Sequence, residues 1–206
     1  MDNQRLQNLI DCTNKFENFD LYTSCEATGE LAEFIRHGLN YAQWKHNLKI
    51  FTENAKYRRI TIMMTVSALS VFGITEFMDD IIDLRRECNN PPGLYSMSLN
   101  ILRFPSFQSV NILPAHIKQA LVNKFDTWLE TRKGFLSPSE LDQFMRVISY
   151  LRSVDKSYED IDQYSDKVND FVNFFKSYAL RRNLNIVTAV NNDDFSKWWN
   201  TINEQN

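Results

Sequence analysis

Three short segments, Asp20 to Ser24, Arg59 to Val66 and Leu94 to Leu102, carry the marks of β-strands, and helical sequence separates them at intervals of about 35 to 40 residues. Such spacing excludes hairpins and predicts βα units joined by right-handed crossovers into a parallel sheet. The pattern within the strands adds more. Tyr95, Met97, Leu99 and Ile101 alternate with Ser96, Ser98 and Asn100, and Ile60, Ile62, Met64 and Val66 alternate with Thr61, Met63, Thr65 and Ser67. A parallel strand covered by helices on both faces is apolar on both, so here one face packs on helices and the other meets something polar. A partial βα barrel, its sheet curved around a polar lumen with helices outside, accounts for this. A plain α/β sheet with one partly solvated face accounts for it equally well.

Helical periodicity fills the rest of the chain. A first helix over about Asp2 to Phe16 carries Leu6, Leu9 and Ile10 on one face, and Glu30 to Arg36 and Tyr41 to Asn54 follow the first strand. Asn40 with Gln43 reads as a capping box for the second of these, and Thr75 as the cap of a helix running to about Glu87. Beyond residue 113 only helices are expected. One spans Pro114 to Leu129; another starts at Ser137-Pro138-Ser139-Glu140, a capping box with proline at the first helical position, and buries Leu141, Phe144, Met145, Ile148 and Leu151. A third runs from about Tyr158 to Tyr178, and Phe195, Trp198 and Trp199 mark a docked terminal helix. The chain thus divides into an α/β part, residues 1–113, and a helical extension, residues 114–206.

Composition removes several functions. The formal net charge of −3 gives no general attraction to nucleic acid or an anionic membrane, and the pairs Arg58-Arg59, Arg85-Arg86 and Arg181-Arg182 form no basic stripe. With no apolar run of roughly 18 residues and a polar opening, a cytoplasmic location is expected. Cys12, Cys25 and Cys88 make no CxxC pair, His37, His46 and His116 have no metal-ligand spacing, and five glycines build neither GxGxxG nor a Walker A loop. A metal site made by this chain alone is not expected.

Chemistry in such folds gathers at the carboxyl ends of the strands. Those ends hold Ser24-Cys25-Glu26-Ala27-Thr28-Gly29, Thr65 to Ser70, and Asn100 to Phe104, with Arg36 and His37 one short helix downstream. No nucleophile, base and orienting acid can be assembled from them. For Arg36 a surface salt bridge is the plain structural reading.

These residues nevertheless resemble a known family. Ser24-x-Glu26-Ala-x-Gly29, Glu33-Phe-Ile-Arg36-His37-Gly38, Trp44, Asn47-Leu48 and Thr65-Val-Ser67-Ala-Leu69 are similar to the later half of the radical S-adenosylmethionine (SAM) enzymes, most of all the twitch-domain type of bacteria and their phages. Gln108-Ser-Val-Asn-Ile-Leu-Pro114-x-His116 resembles the region after their last barrel strand. The likeness is good over about residues 18 to 130 and looser in the helical tail.

The resemblance implies strands four to six of a six-stranded partial barrel. In that family a CxxxCxxC loop after the first strand holds a 4Fe-4S cluster, which chelates SAM and cleaves it to a radical that takes hydrogen from substrate. By position Ser24 matches the serine that contacts SAM, Arg36 the arginine that pairs with its carboxylate, and Ser67 and Leu69 the residues near the adenine. A guanidinium suits a carboxylate through two parallel charge-assisted hydrogen bonds. Glu26 stands where the family usually has aspartate, and Ser70 where asparagine is common. CxxxCxxC and the Gly-Gly-Glu of the second strand are absent from this sequence.

The chain is therefore expected to be inactive alone, as a truncated or split C-terminal part. It would contribute SAM-binding and substrate-side surfaces for a peptide or small molecule, with an N-terminal barrel half and its cluster supplied in trans. The alternative is a non-catalytic interaction module derived from that scaffold. In either case the isolated chain is expected to fold with one sheet edge and its polar face open.

Overall fold

The computed structural model describes residues 1–153 and 160–204. Helix α1 (Asn3–Thr13) leads into β1 (Asp20–Ser24), α2 (Gly29–Ile35) and α3 (Tyr41–Asn54). Then come β2 (Arg59–Val66), α4 (Ile74–Glu87) and β3 (Tyr95–Ile101). The rest is helical: α5 (Ala115–Arg132), α6 (Pro138–Arg152), α7 (Ile161–Arg182), α8 (Ile186–Val190) and α9 (Asp193–Glu204). The expected start of α7 at Tyr158 lies outside the described residues.

The strands form a parallel sheet in the order β1-β2-β3, with Ser24 beside Met63 and Met63 beside Ser98. Register and pleat sort the side chains onto two faces. Ile60, Ile62, Met64, Val66, Tyr95, Met97 and Leu99 are all buried on one face, in a common core with Phe51 of α3 and Phe77, Met78 and Ile81 of α4. The other face presents Tyr22, Ser24, Met63, Thr65, Ser96, Ser98 and Asn100, of which Tyr22 and Asn100 are exposed and the rest half-buried. Thr61 and Ser96 hydroxyls meet across this face at 3.1 Å. The open, polar face read from the alternation is present.

Local chemistry explains several helix starts. Asp2 and Asn40 cap α1 and α3 by accepting from Arg5 and Gln43 N–H groups at 2.9 and 2.8 Å. The Gln43 side chain turns forward to Asn47 instead of closing a box. Thr75 does not cap α4. A 3-10 turn over Ser70–Gly73 runs directly into that helix, so Thr75 sits inside its first turn and donates to Glu76. At α6 the Ser137–Glu140 box is complete, but Met145 is 42% exposed and Val147 takes its place in the core.

The two sheet edges are treated differently. Along β3, Arg85 Nε donates to the Tyr95 carbonyl at 2.6 Å, and the Met97 and Leu99 N–H groups donate to Glu140 Oε1 and Gln143 Oε1, each at 2.7 Å. Side chains of α4 and α6 thus stand in for a fourth strand. Along β1 no strand lies on the outer side among the described residues. Among those residues, too, no helix is long and apolar enough to cross a membrane.

Candidate functional site

The loop after β1 is shaped by its contacts. Cys25 N–H still bonds Met63 across the sheet, its thiol donates to the Ala27 carbonyl at 3.4 Å, and the side chain is fully enclosed. Burial pushes the Cys25 thiol up to about 12, so it is a packing group and not a nucleophile. Gly29, at φ +49°, then lets the chain turn into α2. Gly73 packs on the same loop: a Cβ there would meet Ala27 Cβ at 3.2 Å and Leu31 Cδ2 at 3.1 Å, so a larger residue would need these neighbours to give by a few tenths of an ångström.

Glu26 and Arg36, ten residues apart, come together here. Arg36 Nε donates to Glu26 Oε2 at 2.6 Å and Nη2 donates to Oε1, a two-point contact between a carboxylate 5% exposed and a guanidinium side chain 40% exposed. The Glu26 hydrogen bonds raise the Arg36 pKa against its partial desolvation. Arg36 is at the carboxyl end of α2, where a cation also interacts well with the helix dipole. One fork of the guanidinium is filled, and Nη1 makes no bond to the described residues.

Ser67 and Leu69 come together on the loop after β2. Ser70 Oγ accepts from Ser67 N–H at 2.7 Å and donates to Thr65 O at 2.7 Å, while Ser67 Oγ accepts from Ser70 N–H at 3.2 Å. These bonds make Ser67 and Ser70 a mutual turn lock. Leu69 is only 2% exposed. Both residues line a cavity of about 120 Å³ with Phe34, Gln108, Phe174 and Tyr178. Ser24 is half-buried on the open face and shares no hydrogen bond with either group among the described residues.

Two aromatics of α7, Phe174 and Tyr178, lie over this cavity and are not among the site residues expected from the sequence. Phe174 is 41% exposed and packs on Phe107 with ring centroids 5.4 Å apart, and Tyr178 Oη donates to the Phe34 carbonyl at 2.6 Å. No sequence signal marks them, because Phe171, Phe174, Phe175 and Tyr178 fall at i, i+3, i+4 and i+7, the spacing of an ordinary buried helix face.

No three His, Cys, Asp or Glu side chains among the described residues come together as metal ligands. Compared with protein-family models, with curated proteins and with solved structures, the chain matches none.

Proposed function

We propose that this chain is the C-terminal part of a radical SAM-type βα barrel, completed by an N-terminal half on another polypeptide. One observation carries the proposal: side chains of Glu140 and Gln143 close the sheet along β3, whereas among the described residues no strand pairs with the outer edge of β1, and the sheet is polar on the face that a barrel would enclose. A bare parallel edge beside a half-solvated polar face is an incomplete structure, and strand addition at β1 would complete both.

The residues present do not fit the 4Fe-4S cluster, since this sequence has no CxxxCxxC; its ligands belong to the other half. They fit SAM in part. Arg36 would hold the SAM carboxylate through its remaining Nη1 edge while Glu26 fixes the guanidinium plane. The Ser24 hydroxyl would face the lumen, and the Ser67–Leu69 turn would bound the adenine end. The bound cofactor and cluster would supply the hydrogen-abstraction chemistry of the family.

Anaerobic co-expression with a polypeptide that carries CxxxCxxC and ends in a third barrel strand tests the reading. A co-purifying complex with iron-sulfur absorbance that releases 5′-deoxyadenosine supports it. Separate elution of the two chains, with no product, refutes it. A second reading, a non-catalytic interaction module, is favoured by the occupied fork of Arg36; it predicts a complex that binds no SAM.

A further inference from the structure

The side-chain ladder along the outer edge of β3 stops one step short. In this strand Leu102 N–H turns inward to the Val66 carbonyl at 2.9 Å, whereas Met97 and Leu99 N–H turn outward to Glu140 and Gln143 at 2.7 Å. By the same alternation the next outward N–H is that of Ile101. The acceptors Glu140 and Gln143 are three residues apart on α6, and the next residue in that series is Arg146. At the step where the ladder calls for a third acceptor, the helix supplies a guanidinium, which can only donate.

Arg103 adds a second cation just past the strand. Its guanidinium carbon is 5.9 Å from the Tyr150 ring centroid, and no carboxylate pairs with it among the described residues. Ile101, Arg103, Gln143, Arg146 and Tyr150 all line one open groove of about 340 Å³. Asp142 approaches Arg146 Nε at 3.3 Å, but the Arg146 and Asp142 side chains are 65% and 72% exposed, and such a pair yields readily to a competitor.

We infer that this groove binds a small oxyanion, the carboxylate or phosphate group of a ligand, between the Arg103 and Arg146 guanidiniums and the Ile101 N–H. Two guanidiniums give charge-assisted bonds to an oxyanion, and a backbone N–H adds a third donor in a fixed direction. The anion supplies the acceptor that α6 does not. The groove lies on the edge opposite β1, so the inference stands apart from barrel completion.

Nitrogen-15 NMR of the full chain tests it, with titrations of inorganic phosphate and, separately, acetate, at an ionic strength held constant with chloride. A saturable shift of the Ile101 amide and of the Arg103 and Arg146 Nε–H signals is expected. In R103Q/R146Q the half-saturating concentration should rise about tenfold or more, with the β1 amides at their native positions. R103Q alone serves if the double variant does not fold. A stronger response to phosphate assigns the site to phosphoryl ligands, and a stronger response to acetate assigns it to carboxylates. An Ile101 amide that moves with neither anion, or moves equally in the variant, overturns the inference.

Discussion

The Glu140 carboxylate of α6 binds the Arg85 guanidinium of α4, with the two side chains only 1% and 4% exposed. The same carboxylate accepts the Met97 N–H at 2.7 Å and the Ser137 N–H at 2.8 Å, so one residue caps its helix, pairs a buried charge and closes the sheet edge. It fastens the helical extension to the α/β part.

Removing one partner of such a pair strands a buried charge. Glu140→Ala is expected to cost about 3–5 kcal/mol of stability in urea unfolding. Arg85→Met combined with Glu140→Leu should cost clearly less than the sum of the single changes, because no charge is then left unpaired. Additive losses would show that the pair is not coupled.

Proline placement separates the two sides of β1. Cys25 N–H points inward to Met63, so Thr23 N–H also points inward and Tyr22 N–H points out. Tyr22→Pro should leave the melting of the isolated chain within a few degrees of the parent and abolish assembly with the N-terminal half. Thr23→Pro removes a ladder bond and should destabilise the chain itself by about 3 kcal/mol. Circular dichroism melts and size-exclusion chromatography of mixtures check both outcomes.

The Glu26–Arg36 contact is half open to solvent on the arginine side, which discounts its contribution. Glu26→Ala is expected to cost about 1–2 kcal/mol, with Arg36 recovering water, and Glu26→Gln less. In the assembled complex, Arg36→Ala should weaken SAM binding about tenfold or more, as expected for loss of a charged hydrogen-bond partner. Calorimetric SAM affinity unchanged by Arg36→Ala would remove Arg36 from the site.

Alkali should unfold the chain early. Burial raises the pKa of Cys25 to about 12 from 9.0, and burial with the Asp80 hydrogen bond raises that of Tyr41, as burial does that of Tyr95. Each folded pKa exceeds its unfolded value, so the stabilisation is complete below the unfolded pKa and is lost as pH rises towards the folded one. Melting temperature should therefore fall above about pH 9, where unfolded thiols begin to ionise while the buried Cys25 thiol stays protonated. In the native chain at pH 8 a thiol reagent should modify exposed Cys12 quickly and spare Cys25. Rapid labelling of Cys25 would contradict its enclosure.

Strands and faces were legible because they rest on local alternation: β1 and β2 fall at the expected residues, and β3 is shorter by one residue at each end. The Ser137 box was legible for the same reason. The further work of Glu140 was not, because a capping glutamate looks the same whether its second oxygen faces water or Arg85. Thr75 misled because a 3-10 turn, invisible to periodicity, already began the helix. At the site, the sequence put Glu26 and Arg36 near one strand end, but their mutual bond depends on the path of α2, which spacing does not specify. Leu69 follows a strand end in sequence yet is only 2% exposed, enclosed with Phe34 and Phe175, neighbours that come from distant helices and that spacing does not reveal.

Hydrogen exchange along β1, in the isolated chain and after mixing with the cluster-bearing half, tests barrel completion most directly. Fast exchange of the outward Tyr22 and Ser24 amides is expected in the isolated chain and strong protection in the complex, with the Met97 and Leu99 amides protected in both. A complex that leaves Tyr22 and Ser24 unprotected, or no complex at all, would contradict it.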